Sequence, residues 1–490
     1  MLFVETRTAA GSVEPGARTR VLELLQERGY APLIRGMRLD TFAEALGGEG
    51  RAAEFERAMA EQTDDPGEPP FVRGDIFLAD DQALFLVFDG EGDERGFTRA
   101  GLVYGPEEDD PERRLSEFCR DVAEAVRAAG ASVNTSGAAS EGDSSSDASA
   151  ASFEWRDGGS RAPSSFARFA AAQGEDAGSP SRVSPRGAET AERLRAVEML
   201  EDAEGRRLLR RLSEAQAAGR VSELTAAGAS EPLPDQLVMR LAGAGLVRRE
   251  LLISCRKDGR HLFRLPSADA LAAITASNAV CSECGAAVAD ERAEELITPT
   301  PLASSMLEDG AWLLSRVRAA LSQSGVPERD VAARAATPET DAQLMAHVCG
   351  ETFLFVLRDG DFAPAHARRA LDAEAEAESA HLVVVATGKI HEDARARLRE
   401  HERRRARAGE EFETILVEGV ERAAEELGAA FERVSRKALA SALYELDDAL
   451  GMDAGRFVAA RFRLARRKTA ALQDLAASAA GALAGSLPEI

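Results

Sequence analysis

Three cysteines in two matching turns, Cys255-Arg-Lys-Asp-Gly259 and Cys281-Ser-Glu-Cys-Gly285, are the residues of this 490-residue chain best suited to chemistry. Thiolates bind soft and borderline cations, and the closing glycine of each turn permits the backbone conformation such a knuckle needs. Cys281 and Cys284 form a Cys-x-x-Cys pair, whereas the first turn carries Asp258 where a second cysteine would stand. Cys119 and Cys349 complete an odd total of five, which suggests no disulfide framework. His347, His366, His381, His391 and His401 are scattered, as expected of structural histidines. Phosphate-binding Gly-x-x-x-x-Gly-Lys-Ser/Thr loops, Gly-x-Ser-x-Gly elbows and His-Glu-x-x-His helices are missing, so three common hydrolytic chemistries lack their signatures.

The elements around the turns must position them. Leu194, Val197, Leu200, Leu208, Leu209 and Leu212 have helical spacing, and a further short helix is predicted over Pro234–Ala242. The stretch Leu241–Ser254 then runs from a helix end through Gly243 and Gly245 into an extended basic segment, closing at Lys257-Asp-Gly259 and returning through His261–Leu265. This pattern resembles the recognition helix and wing of the winged helix-turn-helix families. The resemblance implies that Gln236 and Arg240 face bases, while Arg248, Arg249, Arg256, Lys257, Arg260 and Arg264 flank phosphates of DNA. The two cysteine turns resemble the knuckles of a zinc ribbon, which implies structural Zn held by Cys255, Cys281, Cys284 and a fourth ligand, Asp258 or, displaced along the hairpin, His261. A ribbon that packs its sulfurs without metal, a hairpin in which Cys255 is a small buried residue, and a redox pair at Cys281 and Cys284 stay open as alternatives.

Beyond Thr298, the order is a helix containing Trp312 and Val317, Asp341–Val348, a tight turn at Cys349-Gly-Glu351, an apolar strand Thr352–Arg358, a helix from Pro364 and a strand His381–Thr387. That order is similar to the PD-(D/E)xK restriction-endonuclease-like fold. Those enzymes use two carboxylates to hold Mg²⁺ and a lysine to assist the attacking water. Asp341 stands for the first acid, but Val356-Leu357-Arg358 replaces the second motif, so the resemblance implies an inactive relative. A working, Mg-dependent DNA endonuclease would need Asp359 or Asp361 to move into the site. The helix from Ile390 to Ala408 interleaves arginine and glutamate as a solvated face, while Arg461, Arg463, Arg466, Arg467 and Lys468 either contact phosphate or balance nearby acids.

The net charge of −24 excludes a protein that coats nucleic acid or anionic membrane, so any polyanion contact is local. Residues 201–270 carry 12 Lys/Arg against 10 Asp/Glu, a basic island in an acidic chain. Four lysines against 56 arginines point to a GC-rich prokaryotic genome. A charged-then-apolar leader at Met1 and a run of about 18 apolar residues are both missing, which predicts a cytoplasmic protein without membrane association. The expected class is α+β multidomain: a small acidic α+β domain over 1–131, a disordered linker over 132–187, a winged-helix-like module with zinc-ribbon-like hairpin over 188–297, and a restriction-endonuclease-like α/β domain with C-terminal helices over 298–490. In the first domain, Arg73-Gly-Asp75 and Leu84–Asp89 have the shape of a nuclease-fold hairpin without its paired acid and lysine. The expected function is DNA-associated binding or regulation, with a protein partner recruited through the N-terminal domain or linker. The alternatives are the endonuclease and a protein-binding adaptor without nucleic-acid contact.

Overall fold

The computed structural model describes residues 1–11, 13–61, 71–79, 81–88, 97–108, 110–130, 154–157, 163–175, 191–225, 234–308, 310–337 and 340–468. The chain is mixed α and β, with three sheets among the described residues.

The first part runs β1 (Phe3–Ala10), α1 (Pro15–Glu27), α2 (Leu33–Leu46), α3 (Glu49–Glu61), β2 (Gly74–Leu78), β3 (Gln82–Phe88), β4 (Phe97–Tyr104) and α4 (Pro111–Ala128). Helix α4 forms because Leu115, Phe118, Cys119, Val122 and Val126 recur at helical spacing and are all buried, while Asp110 caps its start by accepting from the Arg113 N–H at 3.1 Å. The strands make an antiparallel sheet in the order β2-β3-β4-β1, extended beyond β1 by β5 (Trp155–Asp157). A further helix, α5 (Ser164–Glu175), lays Phe166 and Phe169 on the distant C-terminal sheet. Both elements fall inside the segment expected to be a structureless linker. Their aromatic residues supply the burial that the surrounding Ser, Gly and acidic residues lack, and the rest of that segment lies outside the described residues.

The second part comprises α6 (Ala191–Glu201), α7 (Ala203–Ala217), α8 (Asp235–Gly243), β6 (Val247–Ser254), β7 (His261–Leu265), α9 (Ala268–Ala276) and β8 (Arg292–Pro299). Its sheet has the order β7-β6-β8, with β6 antiparallel to both neighbours. The third part continues with α10 (Pro301–Glu308), α11 (Ala311–Gln323), β9 (Val331–Arg334), β10 (Ala342–Val348), β11 (Glu351–Arg358), α12 (Pro364–Ala377), β12 (His381–Ala386), α13 (Glu392–Arg407), β13 (Glu413–Glu418), α14 (Ala423–Leu443), α15 (Asp447–Leu450) and α16, a helix over 454–468. Its sheet keeps chain order from β9 to β13. The first three strands form an antiparallel meander, and β11, β12 and β13 are parallel. Strand β12 is buried at every position, as a central strand covered on both faces must be.

The cores cross the expected boundaries. One face of the N-terminal sheet packs Leu86, Phe88 and Leu102 on α1 and α4. Its other face, Ile76, Phe85, Val87 and Val103, is covered by Leu439, Leu443 and Leu446 and by Val458 and Phe462 of α16. Residues 1–131 therefore depend on the far end of the chain to close their core. Arg461 and Arg466, read from the sequence as phosphate contacts or charge balance, donate to the backbone carbonyls of Ala79 and Met1. The second and third parts likewise share one cluster, in which Leu200, Leu209, Leu241 and Leu296 join Trp312, Val317, Phe353, Phe355 and Phe431.

Asp75 has a structural task. Its fully buried carboxylate accepts from the N–H groups of Ile34, Arg35 and Ile76, each at 2.8 Å, and so caps the start of α2 from a neighbouring strand. Burial pushes its pKa up to about 6 against these hydrogen bonds. Its protonation therefore favours the fold below the ordinary carboxylate value, a contribution lost as the pH rises through about 6. Asp75→Ala leaves the α2 amides without a partner, and a loss of about 2–4 kcal/mol is expected in denaturant melts of the full chain.

Candidate metal centre

Two hairpin-like turns build the site. Cys255 follows β6 directly after a register shift at Ile253/Ser254. Its N–H donates to the Arg260 carbonyl at 2.8 Å, and the Gly259 N–H returns to the Cys255 carbonyl at 2.8 Å. The second turn repeats the pattern: Cys281 N–H to Ala286 carbonyl at 2.7 Å, and Gly285 N–H to Cys281 carbonyl at 2.9 Å. Gly259 and Gly285 share a φ of 73°, a left-handed conformation that glycine adopts without a Cβ penalty. The matching sequences thus fold as matching knuckles.

The knuckles bring Cys255, Cys281 and Cys284 together with Glu291, each offering one ligand atom, and all four atoms lie within 4.8 Å of one another. A tetrahedral zinc with Zn–S bonds of about 2.3 Å would set its sulfurs about 3.8 Å apart, so little contraction is needed for this group to hold a metal such as zinc. Cys255, Cys281 and Glu291 are buried and Cys284 partly so. Among the described residues this is the one group of three or more Cys, His, Asp or Glu side chains with that geometry.

Glu291 enters from the short turn Val288–Asp290 that leads into β8. Its Oε2 accepts from the Arg256 N–H of the first knuckle, and its Oε1 accepts from Cys284 Sγ at 2.9 Å. The carboxylate thereby ties the two knuckles together, and its hydrogen bond pushes the Cys284 thiol up to about 12. An outer hydrogen bond such as that from Arg256 is the kind that orients a metal-binding carboxylate.

The sequence placed the fourth ligand at Asp258 or His261, whereas the group the structure brings together has Glu291 in that place and includes neither. Asp258 is exposed and accepts from the Arg260 N–H at 3.0 Å, a local bond that closes the first knuckle. Although it lies against the Cys255 thiol, it is outside the group of four. His261 is exposed at the start of β7. Glu291 was missed because it sits seven residues past Cys284 among Glu283, Asp290, Glu294 and Glu295; only the pairing of β8 with β6 distinguishes it.

The proposed DNA-facing residues are distributed around this centre. Gln236 and Arg240 are exposed on α8, Arg248 and Arg249 on β6, and Arg256, Lys257 and Arg260 on the first knuckle. Several are paired with acids: Arg240 with Asp202 at 3.9 Å, Arg248 with Glu250 at 3.9 Å, Arg249 with Glu295, and Arg260 with Glu283 at 2.8 Å. Arg256, Lys257 and Arg264 are exposed and have no ion pair among the described residues.

The carboxylates suggested for Mg²⁺ are occupied otherwise. Asp341 is buried, with Arg358 at 3.0 Å on one oxygen and Arg369 at 3.3 Å on the other. Asp359 accepts from Thr387 Oγ1 at 2.9 Å and Trp312 Nε1 at 3.2 Å and pairs with Arg206 and Arg210. Asp361 accepts from the Lys389 N–H at 2.8 Å. The three do not form a metal-holding group among the described residues. No helix among the described residues is long and apolar enough to cross a membrane. Comparison of the chain with models of protein families, with curated proteins and with solved structures finds no match.

Proposed function

We propose that this chain is a DNA-associated binding protein whose zinc-held knuckles present a basic hairpin tip to nucleic-acid phosphates. The observation that carries the reading is the position of Arg256 and Lys257. They sit beside Cys255 on the turn the metal would fix, and both are exposed; Lys257 has no ion pair among the described residues, and the Arg256 side chain makes none within 4 Å there although its backbone N–H and charge act on Glu291. Three helices followed by the β6–β7 hairpin support a winged-helix-like module, in which α8 offers Gln236 and Arg240. The open sheet β9 to β13, with helices packed on both faces, supports the restriction-endonuclease-like reading of the C-terminal part. The ion pairs of Asp341 with two arginines favour binding without cleavage, since a neutralised carboxylate is a poor Mg²⁺ ligand.

A second reading, a protein-binding adaptor, is favoured by the pairing of Arg240, Arg248, Arg249 and Arg260 with acids. Fluorescence anisotropy of the full chain with labelled duplex DNA separates the two. The DNA reading predicts affinity that falls steeply with salt, and a double variant Arg256→Ala/Lys257→Ala that binds about tenfold or more weakly with a salt slope shallower by about 1–2. Equal affinity for the double variant, or no binding at low salt, leaves the adaptor.

A further inference from the structure

The five cysteines of the chain divide into two kinds. Cys119 is 1 % exposed in the core of the N-terminal sheet, closed off from solvent. Cys349 packs against the edges of two cores, and burial pushes its thiol up to about 11. It is therefore a thiol at neutral pH, whereas the thiolate is the form that attacks a peroxide. Cys255, Cys281 and Cys284 differ, because a sulfur that ligates zinc does so as a thiolate.

Access singles out one of these three. Cys255 and Cys281 are 1 % and 3 % exposed, whereas Cys284 is partly open to solvent. Cys281 stands on the same turn, which the Gly285 N–H closes onto the Cys281 carbonyl at 2.9 Å, and the two sulfurs lie within 4.8 Å of each other. A disulfide brings its sulfurs to about 2.05 Å, a closure internal to that one turn; a bond to Cys255 would instead draw the two knuckles together. Without the Cys281–Cys284 pair, a zinc that takes four ligands keeps only Cys255 and Glu291.

We propose that Cys284 is a site of oxidation by hydrogen peroxide, and that it then closes a disulfide with Cys281 that releases the metal. The inference rests on the zinc-held knuckles of the proposed function. The Cys284 thiolate attacks one peroxide oxygen and breaks the O–O bond, becoming a sulfenic acid as hydroxide leaves. The Cys281 thiolate attacks that sulfur, forms the S–S bond and expels a second hydroxide. Two thiolates give up two electrons, the peroxide takes them, and both hydroxides are protonated to water by the solvent. Zinc loss then frees the tip that carries Arg256 and Lys257, since Ile253, Leu265 and Val288 are the buried residues of its local core.

The test treats the full chain, purified reduced and without oxygen, with a slight excess of hydrogen peroxide at neutral pH. Zinc release is followed with a chromogenic chelator, and the cysteine peptides are weighed after trypsin, which leaves Cys281 and Cys284 together on residues 265–292 and Cys255 on a separate peptide. Release of about one zinc per chain is expected, with peptide 265–292 lighter by about 2 Da and both changes reversed by dithiothreitol and added zinc. Cys284→His, which keeps a nitrogen ligand for zinc, is expected to retain its metal under the same treatment. Should that variant bind no zinc, the peptide masses of the native chain decide alone. Zinc retained with an unmodified peptide overturns the proposal, as does a disulfide to Cys255 or faster oxidation of Cys119 or Cys349. A reduced chain that holds no zinc before peroxide is added removes the zinc reading itself, and this inference with it.

Discussion

Replacing Cys281 with serine is expected to free the β6–β7 tip and residues 279–291 from their fixed arrangement while the rest of the fold persists. The local core there is small: Ile253, Leu265 and Val288 are its buried members, and α9, which spans the two knuckles, has no buried residue. Three such side chains contribute about 1.5–3 kcal/mol each. A structural zinc supplies about 10–16 kcal/mol of apparent binding energy in small zinc domains, so metal coordination would dominate the local stability. Hydrogen exchange of the full chain reads this directly. The amides of Gly259, Cys281 and Gly285, each bonded inside a knuckle, should exchange at least about a hundredfold faster in the variant. Amides of β11 and β12 should keep their protection, because their core does not include the knuckles.

A chain ending at Gly451 is expected to lose the folded N-terminal sheet. Truncation removes Val458 and Phe462, together with Ala454 and Ala459, from the face formed by Ile76, Phe85, Val87 and Val103. Loss of these contacts costs about 5 kcal/mol by apolar burial alone, comparable to the whole stability of a modest domain. The hydrogen bonds from the Arg461 and Arg466 guanidinium groups to the Ala79 and Met1 carbonyls go with them. Limited proteolysis should then cut within residues 1–130 while leaving the β9–β13 sheet intact, since that sheet is closed by α11, α12, α13 and the first half of α14. An N-terminal part as resistant as in the intact chain would show that the covering helix contributes little.

Local signals in the sequence carried some of this architecture. The amphipathic period of α4, the apolar runs of β3 and β12, and the Cys–Gly spacing of the knuckles each appear within a few residues and needed no tertiary knowledge. Strand β1 was missed because Phe-Val-Glu-Thr-Arg-Thr-Ala-Ala alternates only weakly; it is a strand through its pairing with β4 and β5. Helices α2 and α3 were missed for a related reason. They are held by the buried carboxylate of Glu56 against Arg35 and Arg38, and by Asp75 from another element. The metal site divides the same way. Its three thiols lie in recognisable turns, whereas Glu291 arrives through the β6–β8 ladder and Asp258 is spent on its own knuckle. Asp341 could be found as a carboxylate at a strand start, but its two arginine partners come from β11 and α12, seventeen and twenty-eight residues away.

Metal analysis of the purified full chain, alongside Cys281→Ser, Glu291→Ala and Asp258→Ala, tests the centre most directly. One zinc per chain is predicted for the native protein and for Asp258→Ala, with no zinc in Cys281→Ser and weakened retention in Glu291→Ala. A folded native chain without zinc, or zinc lost in Asp258→Ala but kept in Glu291→Ala, would contradict a centre built from three cysteines and Glu291.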